Sequence, residues 1–121
     1  MFATELRYFL RNIYPEIKKN NNVVIYGKGV FANRFIENIR MSNYCNIVEI
    51  VDSNDAEKLK NIDANKYDYI VIAIFSAAIV LSVIDLLKRL NIDEKKILFI
   101  KKNSITSDLL PDEVRDSFLK L

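Results

Sequence analysis

Gly27 and Gly29 are the only glycines in this 121-residue chain, and a single lysine separates them. Ahead of them runs Val23-Val24-Ile25-Tyr26, a β-favouring stretch; behind them Val30-Phe31-Ala32-Asn33-Arg34 begins a helical pattern. Strand, glycine turn and helix in that order present backbone N–H groups and the positive end of a helix dipole to an anion. This is how a dinucleotide-binding βαβ unit opens. Gly27 would allow a tight turn off the strand, and Gly29 would let the backbone approach a diphosphate with no Cβ between them. Lys28 could supply a point charge to a phosphate or could be a solvated loop residue; both readings stay open.

A second candidate lies 25 positions after Gly27, where Asp52-Ser53 follows the run Ile47–Val51. An acid at the end of a second strand accepts hydrogen bonds from ribose hydroxyls, the role read for Asp52; the plainer alternative is that it simply caps a turn. A third, Phe75-Ser76, follows the apolar run Ile70–Ile74 and would form the opposite wall of the same crevice. Other chemistry is absent. The chain has no histidine, which removes the commonest general base and any Ser-His-Asp arrangement. One cysteine, Cys45, rules out an internal disulfide and a cysteine-based zinc site; it reads as a small apolar residue entering the second strand, in a reducing cytoplasm. Tyr14 and Lys18 make a Tyr-x-x-x-Lys pair, but upstream of the glycines, where it is not expected to catalyse. No catalytic residue and no metal ligand set is assigned.

The elements that must hold these residues follow from periodicity. Apolar residues at Phe2, Leu6, Phe9, Leu10, Ile13 and Ile17 have helical spacing, with Pro15 ending or kinking the helix near Tyr14. Phe31, Phe35 and Ile39 recur every four residues on a helix ending at Asn43, with Arg34, Glu37, Asn38 and Arg40 mostly on its outer side. Arg34 reads as a surface residue. Ala56 to Lys66 shows no convincing helix. Ile70–Ile74 is a continuous apolar run suited to a strand covered on both faces. Ser76 is a fair N-cap for a helix from about Ala77 to Leu90. Lys95-Lys96 reads as a solvated entrance to a fourth strand, Ile97–Ile100. Pro111, with Val114, Phe118 and Leu121 on one side, marks a last helix. The uncharged span Tyr69–Ile84 is shorter than the roughly 20 residues a membrane helix needs.

The fold class expected is α/β: a Rossmann-like three-layer domain with a four-stranded parallel sheet plus N- and C-terminal helices. One domain spans 1–121, with its core at 22–102 and helical extensions at 1–19 and 107–121. Right-handed crossovers give the strand order second, first, third, fourth. The topological switch then lies between the first and third strands, and a ligand belongs at their carboxyl ends, above Gly27 to Phe31 and Phe75 to Ala78. Net charge is only +2, with lysines and arginines scattered among acids, so no nucleic-acid stripe is read.

Val24-Ile25-Tyr26-Gly27-Lys28-Gly29-Val30-Phe31-Ala32, Val51-Asp52-Ser53-Asn54-Asp55 and Tyr67–Ala73 together resemble a Rossmann-like module of bacterial surface-polysaccharide biosynthesis. It is similar to the N-terminal domain of sugar acyltransferases of the left-handed β-helix type. Similar modules precede the catalytic domain of nucleotide-sugar dehydratases and accompany some sugar methyltransferases and glycosyltransferases. The resemblance spans roughly Asn22 to Lys102. It implies a nucleotide sugar or an NAD-type dinucleotide as ligand, with phosphates at Gly27, Lys28, Gly29, Val30 and Phe31. Ribose or base would meet Asp52 and Ser53, and Phe75 and Ser76 would wall the other side. Chemistry would come from another domain or chain. Two alternatives stand beside this: a degenerate Rossmann interaction module, dimerising through the terminal helices without ligand, and a small NAD-dependent sugar epimerase or dehydrogenase.

Overall fold

The computed structural model describes residues 2–100. Four strands, β1 (Asn22–Tyr26), β2 (Asn46–Val51), β3 (Tyr69–Ile72) and β4 (Ile97–Phe99), form one all-parallel sheet in the order β2-β1-β3-β4. That is the order expected from right-handed crossovers. Helix α2 (Val30–Ser42) joins β1 to β2, and α3 (Ala77–Arg89) joins β3 to β4. They lie on opposite faces, since the buried residues sort into two clusters. Val23, Ile25, Val71 and Leu98 pack with Phe31, Phe35 and Ile39 of α2. Val24, Tyr26, Ile70 and Ile72 pack with Val80, Val83 and Leu87 of α3. Alternate residues of β1 and β3 thus point to alternate layers, and both layers are apolar.

The α2 face needs a second element, because one helix does not cover four strands. The N-terminal segment supplies it: α1 (Phe2–Tyr8) continues into a π-turn at Phe9–Ile13. Pro15 has no N–H to continue a helix and pushes Tyr14 out of helical geometry, to φ −126° and ψ 62°. The wider turn carries Tyr14 inward beside Phe35, their ring centroids 5.1 Å apart, with Phe9 5.0 Å from Phe35 and 5.4 Å from Phe31. Each such aromatic contributes about 1.5–3 kcal/mol by burial, which dominates any loss from one π-turn. The apolar face of this segment, including Leu6, Phe9 and Ile13, is covered by the domain's own core. It is therefore not a free face for dimerisation.

Tyr14 Oη donates to the carbonyl of Ile72 at 2.9 Å, where β3 leaves the sheet. Burial holds this phenol well above its ordinary pKa. Tyr14→Phe should lower stability by about 1 kcal/mol, read as a shift of the urea midpoint at unchanged slope. An unchanged midpoint would show that the Ile72 carbonyl is satisfied without it.

Strand ends differ from expectation by a residue or two, for a local reason. The run Ile70–Ile74 stops pairing at Ile72 because β1 turns away at Gly27; Ala73 N–H makes the last bond, to the Tyr26 carbonyl at 2.9 Å. β4 then ends at Phe99, opposite Ile72. The segment Ala56–Lys66, expected without a helix, forms two short 3-10 turns, Ala56–Asn61 and Ala64–Lys66. Ala56, Leu59 and the following Tyr67 bury themselves on the α3 face. Lys96 is not merely solvated: its ammonium bonds the carbonyls of Ala64 and, at 3.0 Å, Tyr67, and lies 4.8 Å from the Tyr67 ring centroid. The expected C-terminal helix at 107–121 lies outside the described residues.

Helix ends make plain what the glycines are not for. Asn43 after α2 and Asn91 after α3 are left-handed, at φ 55° and 63°, and Asn20 before β1 sits at 68°. After α3 the amides of Asn91 and Ile92 return to the carbonyls of Lys88 and Leu87, a Schellman closure with asparagine where glycine is usual. Asparagine makes these turns throughout, so glycine is kept for the β1–α2 loop.

Candidate functional site

Gly27 and Gly29 have different physical reasons. Gly27 takes φ +134°, a conformation closed to side chains, and a Cβ there would stand 2.9 Å from the Ala73 carbonyl oxygen and 3.3 Å from Ala32 Cβ. Its amide bonds the Val51 carbonyl at 2.8 Å. The fold itself therefore demands glycine at 27. Gly29 is at φ −83° and ψ −169°, ordinary extended backbone, and a Cβ on it would meet nothing within 4 Å. The space above Gly29 is open, at the N-cap of a 13-residue helix that no side chain caps.

The other candidates gather at the same carboxyl edge of the sheet, though not all with their side chains toward it. Lys28 and Val30 are exposed on the loop, Val30 at 51%. Phe31 is buried, its ring 6.4 Å from that of Phe75, so only its backbone faces the loop. This ring contact ties the β1–α2 loop to the β3–α3 loop. Ser76 is the N-cap residue of α3, as expected, but its hydroxyl makes no cap bond; it is half-buried at the start of the helix. Ile79, one turn further, is 51% exposed.

At the end of β2, Asp52 makes a turn. Asp55 N–H donates to the Asp52 carbonyl at 3.2 Å, and Asn54 N–H to Asp52 Oδ1 at 2.9 Å. The second carboxylate oxygen of Asp52 takes no part in this turn, and Ser53 is exposed at its tip. The residue that ties this turn to the glycine loop is Asp55, which sequence reasoning did not single out. Its Oδ1 accepts from the Asp52 amide at 2.7 Å, and its Oδ2 from Lys28 Nζ at 3.1 Å. Lys58 Nζ lies 3.3 Å from the same Oδ2. The Asp52 amide, then Lys28 and Lys58, hold the Asp55 carboxyl well below the usual carboxylate range. The Asp55 hydrogen bond, with Asp52 and Glu49 nearby, raises Lys28 above its ordinary value. Lys28 is therefore paired rather than simply solvated. The available signal was the spacing Asp52-x-x-Asp55-x-x-Lys58, which suits a self-capped turn.

Behind the loop, Arg34 is not a surface residue. Its guanidinium grips Glu5 with Nε–Oε2 at 2.8 Å and Nη2–Oε1 at 2.6 Å, and Asn38 Nδ2 adds a bond to Glu5 at 2.8 Å. Glu5 and Asn38 are both buried, and Asn38 Oδ1 has no partner among the described residues. This cluster fixes α1 to α2 and so positions the helix whose N-terminus forms the loop. Signals existed for both. Glu5 falls four residues before Phe9, and Asn38 seven after Phe31, on the apolar stripes.

Tyr14 and Lys18 form no catalytic pair, since the Tyr14 hydroxyl is fully buried on the Ile72 carbonyl. Burial pushes the Cys45 thiol up to about 11, which makes it an unreactive core residue. No group of three His, Cys, Asp or Glu among the described residues could hold a metal ion, and no described helix is long and apolar enough to cross a membrane. The chain matches no protein-family model, no curated protein and no solved structure.

Proposed function

We propose that this chain is a cytoplasmic nucleotide-binding module, for a nucleotide sugar or an NAD-type dinucleotide, in bacterial polysaccharide sugar biosynthesis. Its diphosphate would lie over Gly29, on the amides of the Gly27–Phe31 loop and beside Lys28. Asp52 would accept from ribose through the oxygen its turn leaves over, with Ser53 adjacent. Phe75 and Ser76 would form the opposite wall. Chemistry would be supplied by another domain or chain. The observation that carries this reading is Gly29: neither its backbone angles nor its neighbours require glycine, while open space lies where its side chain would be. Glycine also suits an N-cap, but here it leaves the backbone open to the close approach of an external group.

The test is thermal denaturation with UDP, UDP-sugars, NAD, NADP and CoA, on the wild type and on Gly29→Val. A ligand at 100 times its dissociation constant adds about 2.7 kcal/mol, a rise of roughly 10 °C for a chain of this size. Gly29→Val should melt like the wild type and lose that rise. Absence of a shift with every compound, or an equal shift in Gly29→Val, would refute the reading.

A second reading, an interaction module without ligand, is favoured by exposed apolar residues away from the loop. Met41 on α2 and Leu81 on α3 are each 65% exposed. Sedimentation of Leu81→Glu beside the wild type decides it: a dimer lost on substitution supports this reading, and monomers in both remove it.

A further inference from the structure

The β1–α2 loop and the β2–β3 loop are joined by an ion pair, Lys28 Nζ to Asp55 Oδ2 at 3.1 Å. The two partners are held very differently. Asp55 has the Asp52 amide on its other oxygen and Lys58 3.3 Å from Oδ2, so it keeps two partners if Lys28 departs. The Lys28 side chain is 46% exposed. Its ammonium carries three donors on a flexible stem. The pair is thus built to open from the lysine side.

We propose that Asp55 is an internal competitor for the anion site: its carboxylate occupies Lys28 in the free protein, and an entering diphosphate must take Lys28 from it. This rests on the nucleotide reading above. The exchange involves no covalent step; one ammonium moves from a carboxylate to a phosphate. Asp52 and Glu49 add negative potential at Lys28. At the ammonium a singly charged ligand only exchanges one unit of negative charge for another, whereas a diphosphate brings more charge than the carboxylate it replaces. The device selects for multiply charged phosphates.

The experiment is calorimetric titration with inorganic pyrophosphate and with ADP, on the wild type, Asp55→Asn, Lys28→Met and the double variant. Asparagine keeps the acceptor for the Asp52 amide, so the turn survives. Asp55→Asn should bind pyrophosphate about three- to tenfold more tightly at low salt, from the released exposed pair and the removed like charge. The gain should fall below about twofold in 1 M salt. It should vanish in the Lys28→Met background. No gain in Asp55→Asn, or an equal gain with and without Lys28, overturns the competitor while leaving the anion site standing. Binding of pyrophosphate and ADP by none of the four proteins, or unchanged binding by Gly29→Val, overturns the site itself and this inference with it.

Discussion

Gly27→Ala is expected to destabilise the domain by about 2–6 kcal/mol, while Gly29→Ala, two residues away, changes stability by less than about 0.5 kcal/mol. At position 27 two separate effects act together. A side chain at φ +134° is strained by about 1–3 kcal/mol wherever it points. The new Cβ also meets the Ala73 carbonyl at 2.9 Å, a backbone atom that cannot swing aside, and Ala32 Cβ at 3.3 Å. Forcing β1, β3 and α2 apart to admit it costs about 1–3 kcal/mol more. Domains of this size have only about 5–15 kcal/mol in total, so Gly27→Val should not fold. At position 29 the backbone suits any residue and the space is empty. Urea unfolding of the two alanine variants checks the contrast. A Gly27→Ala protein within about 1 kcal/mol of wild type would mean that the turn relaxes without strain.

Arg34→Met is expected to destabilise the domain by about 3–5 kcal/mol, because it strands the Glu5 carboxylate in the interior. The side chain of Glu5 is wholly buried, and Arg34, only 19% exposed, supplies its bidentate partner. Without Arg34 one amide from Asn38 remains, which does not compensate a buried charge. Replacing both members, as Glu5→Leu with Arg34→Leu, should recover most of the loss, since the pair exchanges desolvation for attraction with little net gain. The neighbouring Arg34–Glu37 pair, 3.7 Å long and half exposed, contributes about 0.5 kcal/mol at most and does not decide the outcome. Equal denaturant midpoints for Arg34→Met and wild type would show that water reaches Glu5.

Both predictions fall where a residue's type and its surroundings had to be read together, and that divides what the chain discloses about itself. Periodicity marks α2, because Phe31, Phe35 and Ile39 must share a side of any helix they form. It marks β1 and β3, because runs such as Ile70-Val71-Ile72 suit only a strand covered on both faces. Right-handed crossovers with the later strand pair on the other side of the first give the strand order found. Gly27-Lys28-Gly29 announces a sharp turn at the head of a helix. These features are local, or follow from local features by chirality.

The companions of the polar side chains are not local. Glu5 meets Arg34 across 29 positions, and Lys28 meets Asp55 across 27. A charged residue on an apolar stripe shows that something must satisfy it, but not what. Likewise two glycines in one loop look equivalent on paper. Their difference lies in Ala73, 46 residues beyond Gly27, whose carbonyl presses on one and leaves the other facing solvent. Local backbone preference sets which elements form; the partners of a buried charge and the crowding around a turn come from segments far along the chain, and exist only once the layers have closed.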